Sequence, residues 1–258
     1  KLGFDMCGTA SNHSLDQGFT GLTRTIETLE AAGIPFTGTA NSAEDASQPL
    51  VMDVQTTNGV VKVGILSYTY GFNGFERDAD KLWSANLIDP VAIITEAKLA
   101  RSQGAEIVIA KMHWGDEYTN QANAFQTSVA QELADSGQID LIDGSHSHSV
   151  QPITQIGNTW IAYSHGNFVA AQREPTTIKS EGLVTRWEFV ESASGGFKLS
   201  CVKEVPTLIR DDRPVRVIDV NKALQTGEYF GETKNRLEKA KARTDETVRA
   251  LGFTQFCN

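Results

Sequence analysis

Hydrophobic positions along the chain change period several times, and the changes mark out its elements. Residues 4–9 are apolar enough for a short strand, and residues 19–32 follow with Leu22, Ile26 and Leu29 at helical spacing and Gly33 as a stop. Two strands, residues 50–55 and 60–68, flank Thr56-Thr57-Asn58-Gly59, where Asn-Gly is the strongest short signal for a hairpin turn. The spacing then predicts a helix over residues 90–103, with Asp89 as its cap, Pro90 in its first turn and Gly104 beyond its end. A strand over 106–112 follows, in which Ile107-Val108-Ile109-Ala110 is apolar enough to be covered on both faces. A helix over 122–135 and a strand over 139–142, bounded by Gly137 and Gly144, complete this half.

Beyond His148 the pattern becomes strand-rich. Residues 150–156 and 159–163 read as a hairpin about Gly157-Asn158, and residues 182–190 and 197–205 as another, joined across Ser192-Ala193-Ser194-Gly195-Gly196. From Asn221 the period is helical: Leu237, Ala240, Thr244, Val248 and Leu251 share one face, and the Lys, Arg and Glu around them form a solvated surface. The recurring order of strand, polar loop, helix and strand predicts a layered α/β sheet, with right-handed crossovers where strands are parallel. No internal repeat, low-complexity stretch or linker interrupts it, so a single domain over residues 1–258 is expected, with residues 221–258 as a helical tail packed on it.

A length of 258 residues with 40% hydrophobic content supplies a sizeable core. A net charge of -9 and a pI near 5.1 argue against a general nucleic-acid or anionic-membrane surface, so an anionic substrate needs local help from a metal or a few arginines. Cys7, Cys201 and Cys257 form no Cys-x-x-Cys pair, and one disulfide beside a third thiol is as compatible with their spacing as three thiols. No apolar run approaches the roughly 18 residues that cross a bilayer. Lys1-Leu2-Gly3-Phe4-Asp5 lacks the apolar core of a signal peptide. Because the chain enters a strand-like segment without an initiator Met, a preceding segment is expected.

The five histidines sharpen the picture. His13, His113, His146, His148 and His165 all follow predicted strands, and are expected in the loops at strand carboxyl ends where open α/β sheets hold ligands. In Gly144-Ser145-His146-Ser147-His148, residues i and i+2 share a side wherever the extended backbone continues, and two neutral imidazoles on one side suit a borderline metal ion. Asn12 is a neutral oxygen ligand candidate, with Asp16, Asp116, Glu117 and Asp143 as acids or orienting partners. Tyr70-Gly71-Phe72-Asn73-Gly74, continuing towards Trp83, is either a substrate lid or a plain connection. There is no Gly-x-Ser-x-Gly elbow, no Cys beside a His and no Gly-x-x-x-x-Gly-Lys phosphate loop. What remains is metal-assisted hydrolysis, in which the ion lowers the pKa of bound water to about 7 and polarises a phosphoryl oxygen.

The motifs resemble those of the bacterial capsule-synthesis CapA family, also called poly-γ-glutamate synthesis proteins. Asn12-His13-Ser14-Leu15-Asp16-Gln17-Gly18 is similar to its Asn-His-x-Leu-Asp-x-Gly block, and His113-Trp114-Gly115-Asp116-Glu117-Tyr118 to its His-Trp-Gly-x-Glu-Tyr block. Gly144-Ser145-His146-Ser147-His148 resembles its Gly-x-His-x-His, Tyr163-Ser164-His165-Gly166-Asn167-Phe168 its Tyr-Ser-x-Gly-Asn-Phe, and residues 67–74 a further loop. The resemblance implies a calcineurin-like metallophosphoesterase fold: a sandwich of two mixed β-sheets flanked by helices, with two divalent metal ions among Mn, Zn, Fe and Mg.

By that resemblance Asn12, His113 and His146 bind one metal and His148 the other. His13, with Asp16, acts on the scissile group, Glu117 is a general acid/base or positioning residue, and Tyr118, His165, Asn167, Tyr70 and Asn73 contact substrate. The family's acidic ligands lie on strands ahead of its Asn-His block, before Lys1 in this numbering, so a complementary N-terminal segment or second chain is expected to supply them. Ser145 and Ser147 replace other residues, and His165 stands at a usually apolar position, as an extra ligand or a pocket donor. The implied function is a metal-dependent phosphoesterase-like hydrolase in synthesis, release or export of capsular poly-γ-glutamate or a similar anionic polymer. The alternative is a catalytically silent envelope protein that binds polymer or assembles a membrane synthase. Expected partners are the anionic polymer or a small phosphoester and the membrane subunits of a synthase. The expected location is extracellular or at the cell surface, through an anchor upstream of this chain.

Overall fold

Leu22 and Ile26 bury the apolar stripe of helix α1 (Gly18–Ala31), clustering with Leu15, Phe72 and Ala85 as the helical spacing demands. The computed structural model describes residues 3–170, 178–193, 195–210 and 214–257, so Lys1 and Ser194 lie outside the described residues. The chain divides into two compact units, Lys1–Trp114 with Ser128–Asp143, and Gly115–Thr127 with Gly144–Asn258.

In the first unit β1 (Cys7–Gly8) pairs in parallel with β2 (Phe36–Thr37), a strand too short to show a period in the sequence. A single helical turn, α2 (Ala43–Ala46), follows, capped by Ser42. Strands β3 (Leu50–Thr56) and β4 (Gly59–Thr69) form the antiparallel hairpin expected from Asn58-Gly59. Helix α3 (Pro90–Ser102) then crosses to β5 (Ile107–Trp114), which runs parallel to β4. The Asp89 side chain accepts from the backbone N–H groups of Val91 and Ala92, satisfying donors that a first helical turn leaves unpaired. Ile93, Ala97 and Ala100 form the buried stripe of α3. Arg101 near its end reaches Gln138 O at 3.2 Å and Asp140 Oδ2 at 2.6 Å, and that carboxylate also accepts Val108 N–H at 2.6 Å. Helix α4 (Ala124–Asp135) and strand β6 (Leu141–His146) each contribute residues to both units.

In the second unit β7 (Ile153–Ile156) and β8 (Thr159–Ala162) form the hairpin about Gly157-Asn158, with Trp160 and Ile161 fully covered. One 3₁₀ turn, η1 (Ile178–Ser180), precedes an antiparallel sheet of order β11-β10-β9, made of β9 (Glu181–Glu191), β10 (Phe197–Arg210) and β11 (Arg216–Asp219). The predicted tail is two helices: α5 (Val220–Thr226) stops at left-handed Gly227, and α6 (Gly231–Val248) begins anew. Both pack on the sheet through Leu208, Ile218, Val220, Ala223, Leu237 and Ala240. Leu251, expected on the apolar helical face, lies beyond the end of α6 and is 52% exposed.

Beyond α6 the chain returns to the sheet. Phe253 packs edge-on against Trp160 at 5.1 Å, Cys257 forms a disulfide with Cys201 of β10, and Cys7 keeps a free thiol. The open choice among the three cysteines thus resolves to one disulfide. Arg243 of α6 grips buried Glu181 with both arms of its guanidinium, at 2.8 and 2.7 Å, the fork geometry that suits a carboxylate. Among the described residues no helix is long and apolar enough to cross a membrane.

Candidate functional site

In the first unit the site starts from a turn. Ser14 Oγ accepts from Ser11 N at 2.9 Å and donates to Thr9 O at 2.8 Å, curling residues 11–16 so that Asn12 is buried while His13 is 66% exposed. Asn12 Oδ1 accepts from His113 Nε2 at 2.9 Å, and Asn12 Nδ2 donates to Asn73 Oδ1 at 3.0 Å. His13 Nδ1 lies 2.7 Å from Asp16 Oδ2 and 3.4 Å from Asn73 Nδ2. The shorter contact governs, so Nδ1 carries the proton and donates to the carboxylate, which leaves Nε2 facing outward. Tyr70 N–H donates to His113 O at 3.0 Å, tying the glycine-rich loop to the strand. Asp16, His13, Asn73, Asn12, His113 and Tyr70, scattered over 100 residues of sequence, therefore belong to one cluster. A cavity of about 340 Å³ borders it, lined by Cys7, Thr9, Ser11, His13, Asp16 and Thr25 among others.

The expectation that every histidine sits in a loop is corrected here. His113 lies inside β5, in register with Thr69 of β4, and His146 is the last residue of β6. Polar Lys111 and His113 end the apolar run, but ladder hydrogen bonds are made by the main chain and continue past it.

In the second unit the loop after β5 is held by two buried glutamines. Gln151 Nε2 donates to Thr119 O at 3.3 Å and Gln121 O at 2.9 Å, and Gln126 Nε2 donates to Gln151 Oε1 at 2.8 Å. Gly115 must be glycine: its φ is 95°, and a Cβ there would lie 2.7 Å from the Gln126 side chain. The loop presents Tyr118, whose N–H donates to Ser147 O at 2.7 Å and whose ring stacks on His148 at 5.5 Å, 18° from parallel. His148 Nδ1 meets Asn167 Oδ1 at 2.8 Å, which points Nε2 away from the protein amide. Gly144 is the other glycine the motif requires, since a Cβ on it would stand 2.0 Å from Tyr163 O.

His146 and His148 have ring centroids 6.3 Å apart, but not through strand alternation. Their φ angles are 97° and 54°, so the extended backbone stops at His146 and two left-handed residues turn the rings instead. Ser147 between them is fully buried, its hydroxyl donating to Ser149 O at 2.8 Å, which explains a small residue there.

The remaining candidates divide. Glu117 and Asp116 are exposed in the loop, and partial burial together with the Glu117 carboxylate holds the Tyr118 phenol above its ordinary pKa. Asp143 pairs with Lys111. His165 bridges Gly144 O at 3.2 Å and Thr185 Oγ1 at 2.9 Å, so both ring nitrogens face protein partners and the residue fastens β9 beside the motif. Lys179, which no sequence pattern marks, places Nζ 3.9 Å from the centre of the Tyr118 ring.

The donor set is the kind a borderline divalent ion takes: imidazole nitrogens and a neutral amide oxygen. Ligand atoms about 2.1 Å from one ion are separated by roughly 3 Å at right angles, and Asn12 Oδ1 and His113 Nε2 stand 2.9 Å apart. That pair fits. Among the described residues the one grouping of three His, Cys, Asp or Glu ligand atoms is Glu188, Cys201 and Cys257, whose two sulfurs are bonded to each other and so hold no metal.

Comparison with known proteins adds the lineage. The chain is similar to the PGA biosynthesis protein CapA of Bacillus subtilis (29% identity over 202 residues, 77% of this chain and 50% of the relative). It is also similar to the capsule biosynthesis protein CapA of Bacillus anthracis (31% over 187 residues, 71% and 44%). A probable polyglutamine synthesis accessory protein of Mycobacterium tuberculosis is 28% identical over 173 residues. The chain thus spans about half the length of the curated relatives it matches.

Among solved structures, the calcineurin-like phosphoesterase YfkN of Bacillus subtilis superposes with a TM-score of 0.53 at 18% identity, covering 93% of this chain and 72% of that one. A putative 5'-nucleotidase from Staphylococcus aureus gives 0.50 at 15% identity, covering 93% and 42%. These likenesses show the mixed α/β fold to be calcineurin-like. Residues 1–172, which carry every motif above, match the family described as bacterial capsule synthesis protein PGA_cap, and the chain belongs to that family.

Proposed function

We propose that this chain is a metal-dependent, phosphoesterase-like hydrolase acting in synthesis, release or export of capsular poly-γ-glutamate or a similar anionic surface polymer. One observation supports the reading above the others. Among the described residues, the non-glycine positions with left-handed φ are Asn73 (52°), Tyr118 (63°), His146 (97°) and His148 (54°), and each stands in a motif block. Such a backbone costs on the order of 1–3 kcal/mol at a bulky residue and persists where surrounding structure over-determines it, as at sites that place side chains for chemistry.

Asn12 and His113 in the first unit, and His146 and His148 in the second, are the proposed metal ligands. A divalent ion bound at such ligands in either unit would supply an acidified water and polarise a phosphoryl oxygen. The chain's own groups manage the protons. Asp16 accepts from His13 Nδ1 and fixes the direction of the ring, while the exposed Nε2 is placed to exchange a proton with a leaving oxygen. Partial burial and the Glu117 carboxylate keep the Tyr118 phenol protonated, and on ligand binding its one O–H turns from Glu117 to an anionic substrate oxygen. The Cys201–Cys257 disulfide supports an oxidising compartment, and we place the protein at the cell surface, working with the polymer and the membrane subunits of its synthase.

A second reading, a silent polymer-binding protein, draws on the engagement of Asp143 by Lys111 and of Asp16 by His13, which leaves neither acid to a metal. The two readings part in one experiment: metal content of the purified protein, followed by hydrolysis of a chromogenic phosphodiester with and without chelator. The hydrolase reading expects bound Mn, Zn, Fe or Mg and turnover that chelation abolishes and metal restores. Metal-free protein without turnover leaves only the binding role.

A further inference from the structure

We infer that Lys179 is the residue through which this site recognises an oxyanion, a carboxylate or phosphoryl group of its ligand, beside His148. The inference rests on the site reading above but not on catalysis. Lys179 begins from an unusual setting for a lysine in a chain of net charge -9: it is half-buried, and its ammonium pairs with no carboxylate of the described residues. What holds it is an aromatic face, with Nζ 3.9 Å from the centre of the Tyr118 ring. A cation–π contact satisfies one side of an ammonium and leaves N–H donors directed elsewhere.

The backbone beneath is fixed just as firmly. Asn167 Nδ2 donates to Lys179 O at 2.9 Å, while its Oδ1 meets His148 Nδ1 at 2.8 Å. One amide thus sets the position of both residues, and Tyr118, stacked on His148 at 5.5 Å, carries the ammonium. Lysine, ring and imidazole form a single preorganised group. A charged donor fixed this way binds an oxyanion without first losing the rotamer freedom of a long side chain.

The test is binding by calorimetry to the full chain after chelation of divalent metals, so that no metal carries the affinity. The probes are an oligomer of γ-linked glutamate for the carboxylate source and inorganic phosphate for the phosphoryl source. The wild-type chain is expected to bind at least one probe, more weakly as salt rises. Lys179→Gln is expected to weaken it by about tenfold or more, Lys179→Arg to retain it, and both to keep the wild-type thermal midpoint. Whichever probe responds names the source. Equal affinity of Lys179→Gln and wild type for both probes, or no binding by wild type at millimolar concentration, overturns the proposal. Phosphodiester turnover measured on the same preparations separates the two claims: Lys179-dependent binding without turnover defeats the hydrolase and leaves this inference standing.

Discussion

Asn12 Oδ1 and His113 Nε2 lie 2.9 Å apart across 101 residues of sequence. The contact joins a strand-to-helix turn to β5, and Asn12 is only 5% exposed, so its amide has no solvent to fall back on. Asn12→Ala removes a proposed metal ligand and takes this partner from half-buried His113 Nε2, at a cost of about 1 kcal/mol. The expected outcome is a lower thermal midpoint together with loss of bound divalent metal, read by elemental analysis. Unchanged metal content in Asn12→Ala removes Asn12 from the ligand set.

A pH effect on stability should originate at Glu96. Burial raises the Glu96 carboxyl from 4.5 to about 7, against the Tyr68 hydroxyl, which donates to it and lowers it in part. Tyr68 itself is held well above its ordinary value by burial and by Glu96, so it remains a donor throughout. Between those two pH values the folded chain binds a proton that the unfolded chain has released. Stability therefore falls as pH rises through this window and levels off above it, by about 3 kcal/mol at most. Glu96→Gln keeps the acceptor and should flatten the dependence of unfolding free energy on pH from 4 to 8.

Reducing agent should loosen the second unit. The Cys201–Cys257 bond closes 56 residues of chain, worth about 4 kcal/mol in the chain-entropy account. It also keeps Phe253 and Phe256 against each other and Phe253 against Trp160. Cys257→Ser, or dithiothreitol, is expected to lower the denaturation midpoint. Intact midpoints under reduction would show that the aromatic packing alone holds the C-terminal segment.

These effects show how far the chain could be read beforehand. Asp89, Pro90 and Gly104 bracket α3 because capping is local chemistry, visible in the residues themselves. Asn12 and His113 were legible as ligand candidates because their motif blocks are dense with unusual residues. Their direct contact was not, since register between distant strands leaves no trace in either segment. The approach of His146 and His148 was expected from strand alternation, and left-handed backbone provides it instead. Lys179 had no local signal at all, because what distinguishes it is a ring far away in sequence. β11 (Arg216–Asp219) escaped notice because four residues with charges at both ends carry no period.

The orientation of His148 yields the most specific prediction. Asn167 Oδ1 faces Nδ1 at 2.8 Å, so Nδ1 bears the proton and Nε2 keeps the lone pair that a metal requires. Partners of this kind fix tautomer and ring direction, and their removal usually costs 10–100-fold in metal affinity. Asn167→Ala should lower affinity for divalent metal within that range while leaving most of the fold intact, because the side chain is half-buried and its other bond is to a single carbonyl, Lys179 O. Asn167→Asp should retain more affinity than Asn167→Ala, since a carboxylate still accepts from Nδ1 and raises the basicity of Nε2. Metal titration of the three proteins followed by calorimetry decides it. If alanine and aspartate variants bind metal equally well, His148 is not a ligand held through Asn167, and the bond serves only to anchor the loop.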